Sequence, residues 1–438
     1  MTSVIALLIL IATMVVGVPI PLSFLISAAY ICATGGINPI MLFSYGFNSQ
    51  NTILLLTIPL FVLAGSIIDK GGIGHKLVEG LQKCCKKSKS ALGLVTIISC
   101  ALFGAVSGSA SATTSCIGSI MTPRLKENGY KPGLIGGILA SSGVLGIMIP
   151  PSILMILYAW GTGTSVLACF LATIVPGLFL IASMGLVNAW IVKRDPDMKS
   201  FAEKAAKNNS ICTPVDIAEK KKGKSTIPAV LMPVLLLGSI YGGVLTATEG
   251  AAFSVAYSLL VGIFYYKKID IKTFKLSMVQ AGETAGVIMV MLFSVGILSR
   301  LYITENLPDL ILGFLTSISS SRIVILLMVN LFMILIGMLM DDCSGTILCG
   351  PILLPVVMAL GVTPVQFAAI LSVNIGMGNV TPPTAPLLYL GGRISGAEVR
   401  DMLKPTFMLI LFAWIPTLLL TTFIPEISLF LPKLFGYV

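Results

Sequence analysis

Charge is what this sequence has least of: only 11% of its 438 residues are Asp, Glu, Lys or Arg, while 56% are hydrophobic. A mean hydropathy of +1.00 excludes an ordinary soluble protein with polar domain surfaces. Histidine is nearly absent, the single one being His75 in a Gly-rich, charged loop, where a solvated residue is expected. The nine cysteines form no CxxC pattern, which argues against a metal site or disulfide framework and for small residues packed within helices. Cys84 and Cys85 sit in a basic loop and are the one pair open to acylation. The sequence supports no nucleophile and base arrangement, and no Gly-rich phosphate loop precedes Lys and Ser or Thr, so no enzyme is expected. The first apolar stretch follows Met1, Thr2 and Ser3 without a basic segment, which disfavours a cleaved signal peptide.

What the chain has instead is apolar length. Segments at 4–17, 20–35, 51–68, 91–120, 133–158, 165–192, 227–245, 249–266, 278–300, 307–319, 322–358, 365–390 and 405–432 approach or exceed the roughly 18 to 20 residues that cross a bilayer. Continuous blocks such as IVILLMVNLFMILIGMLM at 323–340 exclude a β-barrel, so an all-α polytopic membrane protein is expected. Two blocks carry polar, small-residue interruptions, Ser107 to Ser111 and Asp341 to Thr346, each followed by another apolar arm. Thirty helical residues would span about 45 Å, too long for a core of about 30 Å, so each block is predicted to turn back as a re-entrant hairpin.

The formal charge of +10 belongs to loops rather than to a nucleic-acid surface. Lys83, Lys86, Lys87 and Lys89 precede the first hairpin, and Arg124, Lys126 and Lys131 follow it, so both its ends should face the cytoplasm. The second hairpin follows 301–321, which has Glu305 and Asp309 but no Lys or Arg, and should open to the other side, with Arg322 as a counterweight. The order of segment, loop, hairpin and Pro-Pro segment occurs twice, ending at Pro150-Pro151 and Pro382-Pro383. Oppositely inserted repeats of this kind predict inverted-topology pseudo-symmetry, the logic of a transporter. The expected organisation is a first membrane half at 1–192, a polar cytoplasmic connection at 193–226 with nine basic and five acidic residues, and a second membrane half at 227–438.

Three stretches could carry chemistry. In GAVSGSASATTS at 104–115, Ser107, Gly108 and Ser109 mark the tip, where an opened helix leaves amides and carbonyls for an ion, polar ligand or water, although small residues also serve close packing. In GMLMDDCSGT at 337–346, Asp341 and Asp342 are intramembrane carboxylates, fit for ion coupling or for capping the return helix. In NIGMGNVTPP at 374–383, prolines release preceding carbonyls, and SSGVLGIMIPP at 141–151 is its counterpart. Hard oxygen ligands without His or Cys clusters suit Na⁺ better than a transition metal. Helix amino termini at the same breaks could hold an organic anion without a buried arginine. Glu249 in LTATEG is expected to cap a helix or stabilise an interdomain contact.

The strings SGSASATTSCIGSIMTPRLKENGY at 107–130, GIMIPPSILMILY at 146–158, TATEGAA at 246–252, GMLMDDCSGTILCGPILLPV at 337–356 and GMGNVTPP at 376–383, in that order, resemble the large, DctM-like permease subunit of tripartite ATP-independent periplasmic (TRAP) transporters, within the ion-transporter superfamily. The resemblance covers essentially the whole chain. It implies a multi-pass protein of the bacterial inner membrane, with elevator-type scaffold and transport domains, that imports a small organic anion such as a carboxylate by symport with Na⁺. It also implies two partners, a small DctQ-like membrane subunit and a periplasmic DctP-like substrate-binding protein. Carried over residue by residue, substrate contacts are expected at Ser107, Gly108, Ser109, Asn374 and Thr381, and Na⁺ contacts at Ser109, Gly337, Asp341, Gly376, Gly378 and Thr381. After Pro383 the chain reads Thr384-Ala385-Pro386, where the family more often has a hydrophobic residue and Gly. The competing expectation is a self-contained Na⁺- or H⁺-coupled carboxylate transporter.

Overall fold

The computed structural model describes residues 2–84, 89–195 and 225–437 and is helical almost throughout, with no strand among the described residues. Cys85, Lys86, Lys87 and nearly all of the polar connection 193–226 lie outside them. Eight helices are long and apolar enough to cross a membrane, or nine when the bent pair Pro132–Met148 and Ile153–Thr162 counts as one span. Their amino ends are fixed by local chemistry: Ser109, Ser152, Ser165, Asp270, Asp341 and Thr363 each accept a first-turn backbone N–H. Glu249 closes a capping box with Thr246 at the start of Ala247–Leu260. His75 is exposed, on the helix Ile73–Cys84 rather than in a loop.

Both interrupted blocks fold as hairpins. In the first, helices Lys89–Ser107 and Ala110–Glu127 meet at Gly108, whose φ of 64° suits glycine. In the second, Arg322–Leu339 and Asp342–Ala359 meet at Met340 and Asp341, so the turn is tighter than the expected Asp341 to Thr346 and Thr346 belongs to the return helix. The capping carboxylate of Asp341 starts that helix immediately.

The helix Val166–Arg194, 29 residues and about 44 Å long, measures the relation between the hairpins. Near its amino end Ala168 and Ala172 pack with Val365 and Ala369, just beyond the base of the second hairpin, where Arg322 lies against Gly361. Near its carboxyl end Asn188 donates to the Ser90 carbonyl at 2.9 Å and Asp195 pairs with Lys131 at 3.0 Å, both at the base of the first hairpin. The two hairpins therefore open at opposite ends of one spanning helix, and the basic residues Arg124, Lys126 and Lys131 mark the first end.

Each hairpin is followed by a broken helix with a cis Pro-Pro bond: Pro132–Gly143 and Leu145–Met148 before Ile153–Thr162, and Pro364–Gly378 before Pro386–Ser395. Glycines let the hairpin and the broken helix touch. A Cβ on Gly104 would strike the Cα of Gly146, and one on Gly378 would come within 2.6 Å of the Cα of Gly337. Beyond the breaks the arms are exchanged. Ile153–Thr162 packs on the return helix of the second hairpin, and Pro386–Ser395 on that of the first. The 34-residue helix Ile271–Thr304 runs past the tips and packs against the second return helix.

Candidate functional site

The two hairpin tips meet at a cavity of about 670 Å³. Gly108, Ser109, Ala110 and Ser111 line it from the first tip, and Asp341, Asp342 and Cys343 from the second. Ile153 and Leu154, and Pro386 and Leu387, bring the starts of the two exchanged arms to the same space. Four helix amino termini thus converge on one cavity, and Glu283, Thr284 and Met291 of Ile271–Thr304 contribute a wall. No Lys, Arg or His is among the described residues that line it.

The two sides differ in charge. On the first, Ser109 Oγ accepts the Ala112 N–H at 3.4 Å and lies 3.2 Å from Ser111 Oγ, so neutral hydroxyls cap a positive helix end. The amide of Ile153 donates to the Gly108 carbonyl at 3.2 Å and ties this tip to the exchanged arm. On the second side Asp341 accepts the amides of Cys343 at 3.1 Å and Ser344 at 3.4 Å and the Ser344 hydroxyl, while Asp342 accepts the Cys343 amide at 3.2 Å. Thr384, part of the departure from the family pattern, donates its hydroxyl to the Met338 carbonyl, a bond that a hydrophobic residue could not make.

Of the residues expected to bind substrate or ion, Gly108, Ser109 and Asp341 line the cavity together. Ser107 does not: it is buried, its Oγ 3.2 Å from Thr113 Oγ1, beneath Gly65. Asn374 is fully buried in a separate polar network, donating to Asn330 Oδ1 at 3.0 Å and to the Ile370 carbonyl at 2.8 Å. Asn330 in turn donates to Thr422 Oγ1 at 3.0 Å. Gly337 and Gly378 face each other in the hairpin contact, and a Cβ on Gly376 would strike Val144 and Trp414. Thr381 donates its hydroxyl to the Met377 carbonyl at 2.6 Å, and its amide to the Gly378 carbonyl at 3.0 Å. Carbonyls near the second break are therefore partly reclaimed by the turn. Sequence reasoning passed over Ser111, Glu283, Thr284 and Asn379 as cavity residues, although Glu283, an ionisable residue within an apolar segment, carried a signal.

Ligand atoms of Asp341, Asp342 and Cys343 lie within 4.8 Å of one another. Two carboxylates offer the hard oxygens that an alkali cation takes, whereas a soft-metal site would need more than one thiol. The buried Thr346 hydroxyl, one turn along the same helix, has no hydrogen-bond partner. The donor set thus fits a hard cation at the second tip.

Residues 7–427 match the family described as tripartite ATP-independent periplasmic transporter, DctM component. The isethionate TRAP transporter permease protein DctMQ of Oleidesulfovibrio alaskensis is 31% identical over 95% of this chain, which spans 64% of that longer protein. The C4-dicarboxylate TRAP transporter large permease protein DctM of Pseudomonas aeruginosa is 30% identical over 89% of this chain and 88% of its own length. In fold the chain is similar to the Alcanivorax borkumensis YdaH transporter, with a TM-score of 0.57 over 87% of this chain and 86% of that one, at 14% identity. With a family match across nearly its full length and eight or more spanning helices, the chain belongs to the DctM large permeases of TRAP transporters, multi-pass transport proteins of the inner membrane and not enzymes.

Proposed function

We propose that the chain imports a small organic anion, a carboxylate, by symport with Na⁺, receiving it from a periplasmic binding protein and working with a small membrane subunit. The observation that carries this reading is the cavity itself: tips inserted from opposite faces meet there, one neutral and rich in helix-start donors, the other bearing paired carboxylates. The neutral tip suits the anion, because first-turn amides have no intrahelical acceptor and the helix end is positive. The acidic tip suits Na⁺, and cation occupancy there lowers the electrostatic penalty of bringing an anion into the membrane. In this reading the hairpins and broken helices move as an elevator against a scaffold that includes Ile271–Thr304, exposing the cavity to each side in turn. Simultaneous opening would dissipate the gradient.

Reconstitution tests this directly. Liposomes holding the chain and its small subunit, with binding protein outside, should accumulate substrate only under an inward Na⁺ gradient. Uptake by the chain alone would favour a self-contained transporter, and flux independent of cation gradients at channel-like rates would argue for a pore.

A further inference from the structure

We infer that Lys267, Lys268, Lys272 and Lys275, at the amino end of Ile271–Thr304, form a headgroup site for an anionic phospholipid of the cytoplasmic leaflet. The helix is 34 residues and about 51 Å long, against a hydrocarbon core of about 30 Å, so it extends past the core. Near its amino end Lys70 Nζ donates to Gln280 Oε1 at 2.7 Å. Residues 271–279 lie beyond that bond, on the side away from the cavity residues Glu283 and Thr284. Two contacts fix which face of the membrane this is. A Cβ on Gly72 would come within 2.6 Å of the Lys268 side chain. On the helix that follows, Ile73–Cys84, Gln82 Oε1 accepts from Arg124 at 2.9 Å, at the base of the first hairpin. The lysines therefore share the cytoplasmic face with that base, where loop charge is positive and the leaflet surface negative.

A helix end in water turns polar side chains outward, and this one does not. Lys272, Lys275, Leu276 and Val279, spaced i, i+3, i+4 and i+7 along one face, are all exposed, while Ser277 and Ala281 behind them are buried. Ile271 is 78% exposed, and Phe264, just before the loop, 70%. Lysines interspersed with apolar side chains on one exposed face fit the boundary layer, where their stems lie along acyl chains and their ammonium groups reach phosphates. The loop is also held in place. Tyr266 donates to the Ser225 carbonyl at 3.1 Å, Tyr265 accepts the Ser225 amide at 3.2 Å, and the Lys268 amide donates to the Gly262 carbonyl at 3.0 Å. None of the four ammonium groups forms an ion pair among the described residues. The one acid in the stretch, Asp270, is committed to the Thr273 amide at 2.8 Å. Unpaired positive charge set among exposed apolar side chains complements a phosphate carrying acyl chains, which meets both halves of the surface at once.

The test is thermal stabilisation of the purified full chain with its small subunit in detergent, titrated with phosphatidylglycerol, phosphatidylcholine or glycerol phosphate. Phosphatidylglycerol should stabilise at lower concentration than phosphatidylcholine, and glycerol phosphate, a headgroup without chains, should have no effect. Lys272→Gln with Lys275→Gln should raise the phosphatidylglycerol concentration for half-maximal stabilisation about tenfold or more. Lys272→Arg with Lys275→Arg should keep it near the parent value. Lys126→Gln with Arg393→Gln removes as much charge from exposed positions beside the first hairpin's base and should leave it unchanged. Melting without lipid reports whether each variant is folded. An equal response to phosphatidylcholine, a response reproduced by glycerol phosphate, or an equal loss in the Lys126 and Arg393 pair would overturn the inference. So would a folded Lys272→Gln, Lys275→Gln protein that answers phosphatidylglycerol as the parent does, or that loses its small subunit instead. All of this is read without substrate, so its failure leaves the transport reading standing.

Discussion

At Asp341 two roles fall on one side chain, and they separate by substitution. The carboxylate caps Asp342–Ala359 through the amides of Cys343 and Ser344, and Asp341 also lines the cavity, where the proposed function makes it a cation ligand. Asn caps helices about as well as Asp, so Asp341→Asn should fold normally yet require higher Na⁺ for uptake, whereas Asp341→Ala should also lose about 0.5–2 kcal/mol of stability. Melting curves beside Na⁺ titrations of uptake check both outcomes, and unchanged Na⁺ dependence in Asp341→Asn would remove the residue from the coupling site. Asn374 should behave differently. Its replacement by Ala leaves Asn330 Oδ1 without its donor in a buried network, an expected loss of about 1–3 kcal/mol with the Na⁺ midpoint unaltered in the protein that folds. The sequence marked both residues as intramembrane polar groups, but a helix apolar on every side reveals no facing direction, so the turn of Asn374 away from the cavity was not legible in it. Asn379 was passed over for the same reason, being five residues from Asn374 on a stretch whose pairing is set only by tertiary contacts.

The elements themselves were legible. Length against bilayer thickness predicted both hairpins, and the breaks came where Gly108 and the Asp341 cap interrupt the apolar arms. The glycine contacts were not, because a small residue in a membrane helix says only that something comes near, not what. Gly146 illustrates the difference: an added Cβ would strike Thr113 and come within 2.6 Å of the Ser109 carbonyl, behind the first tip. Gly146→Ala should therefore displace that tip, with a destabilisation of about 1–3 kcal/mol and a loss of uptake in protein that still inserts. Gly282→Ala is the matched control. Nothing lies within 4 Å of its Cβ position, on an exposed face of Ile271–Thr304, so melting should be unchanged or raised by up to about 1 kcal/mol.

On the scale of the whole molecule, the opposed hairpin bases make a topological statement that thiol labelling can check. In a background with the reactive native cysteines replaced, Ser321→Cys at the base of the second hairpin should react with an impermeant maleimide applied to the outside of cells. Lys126→Cys near the base of the first should react only after permeabilisation, as the basic residues around it require. Labelling of both from one side would end the inverted arrangement. The exchanged arms carry the last consequence. Since Ile153–Thr162 rests on the second hairpin and Pro386–Ser395 on the first, neither half can complete its own interior. A gene split within the polar connection should yield two fragments that are degraded when made singly and that restore growth on the transported nutrient only when produced together.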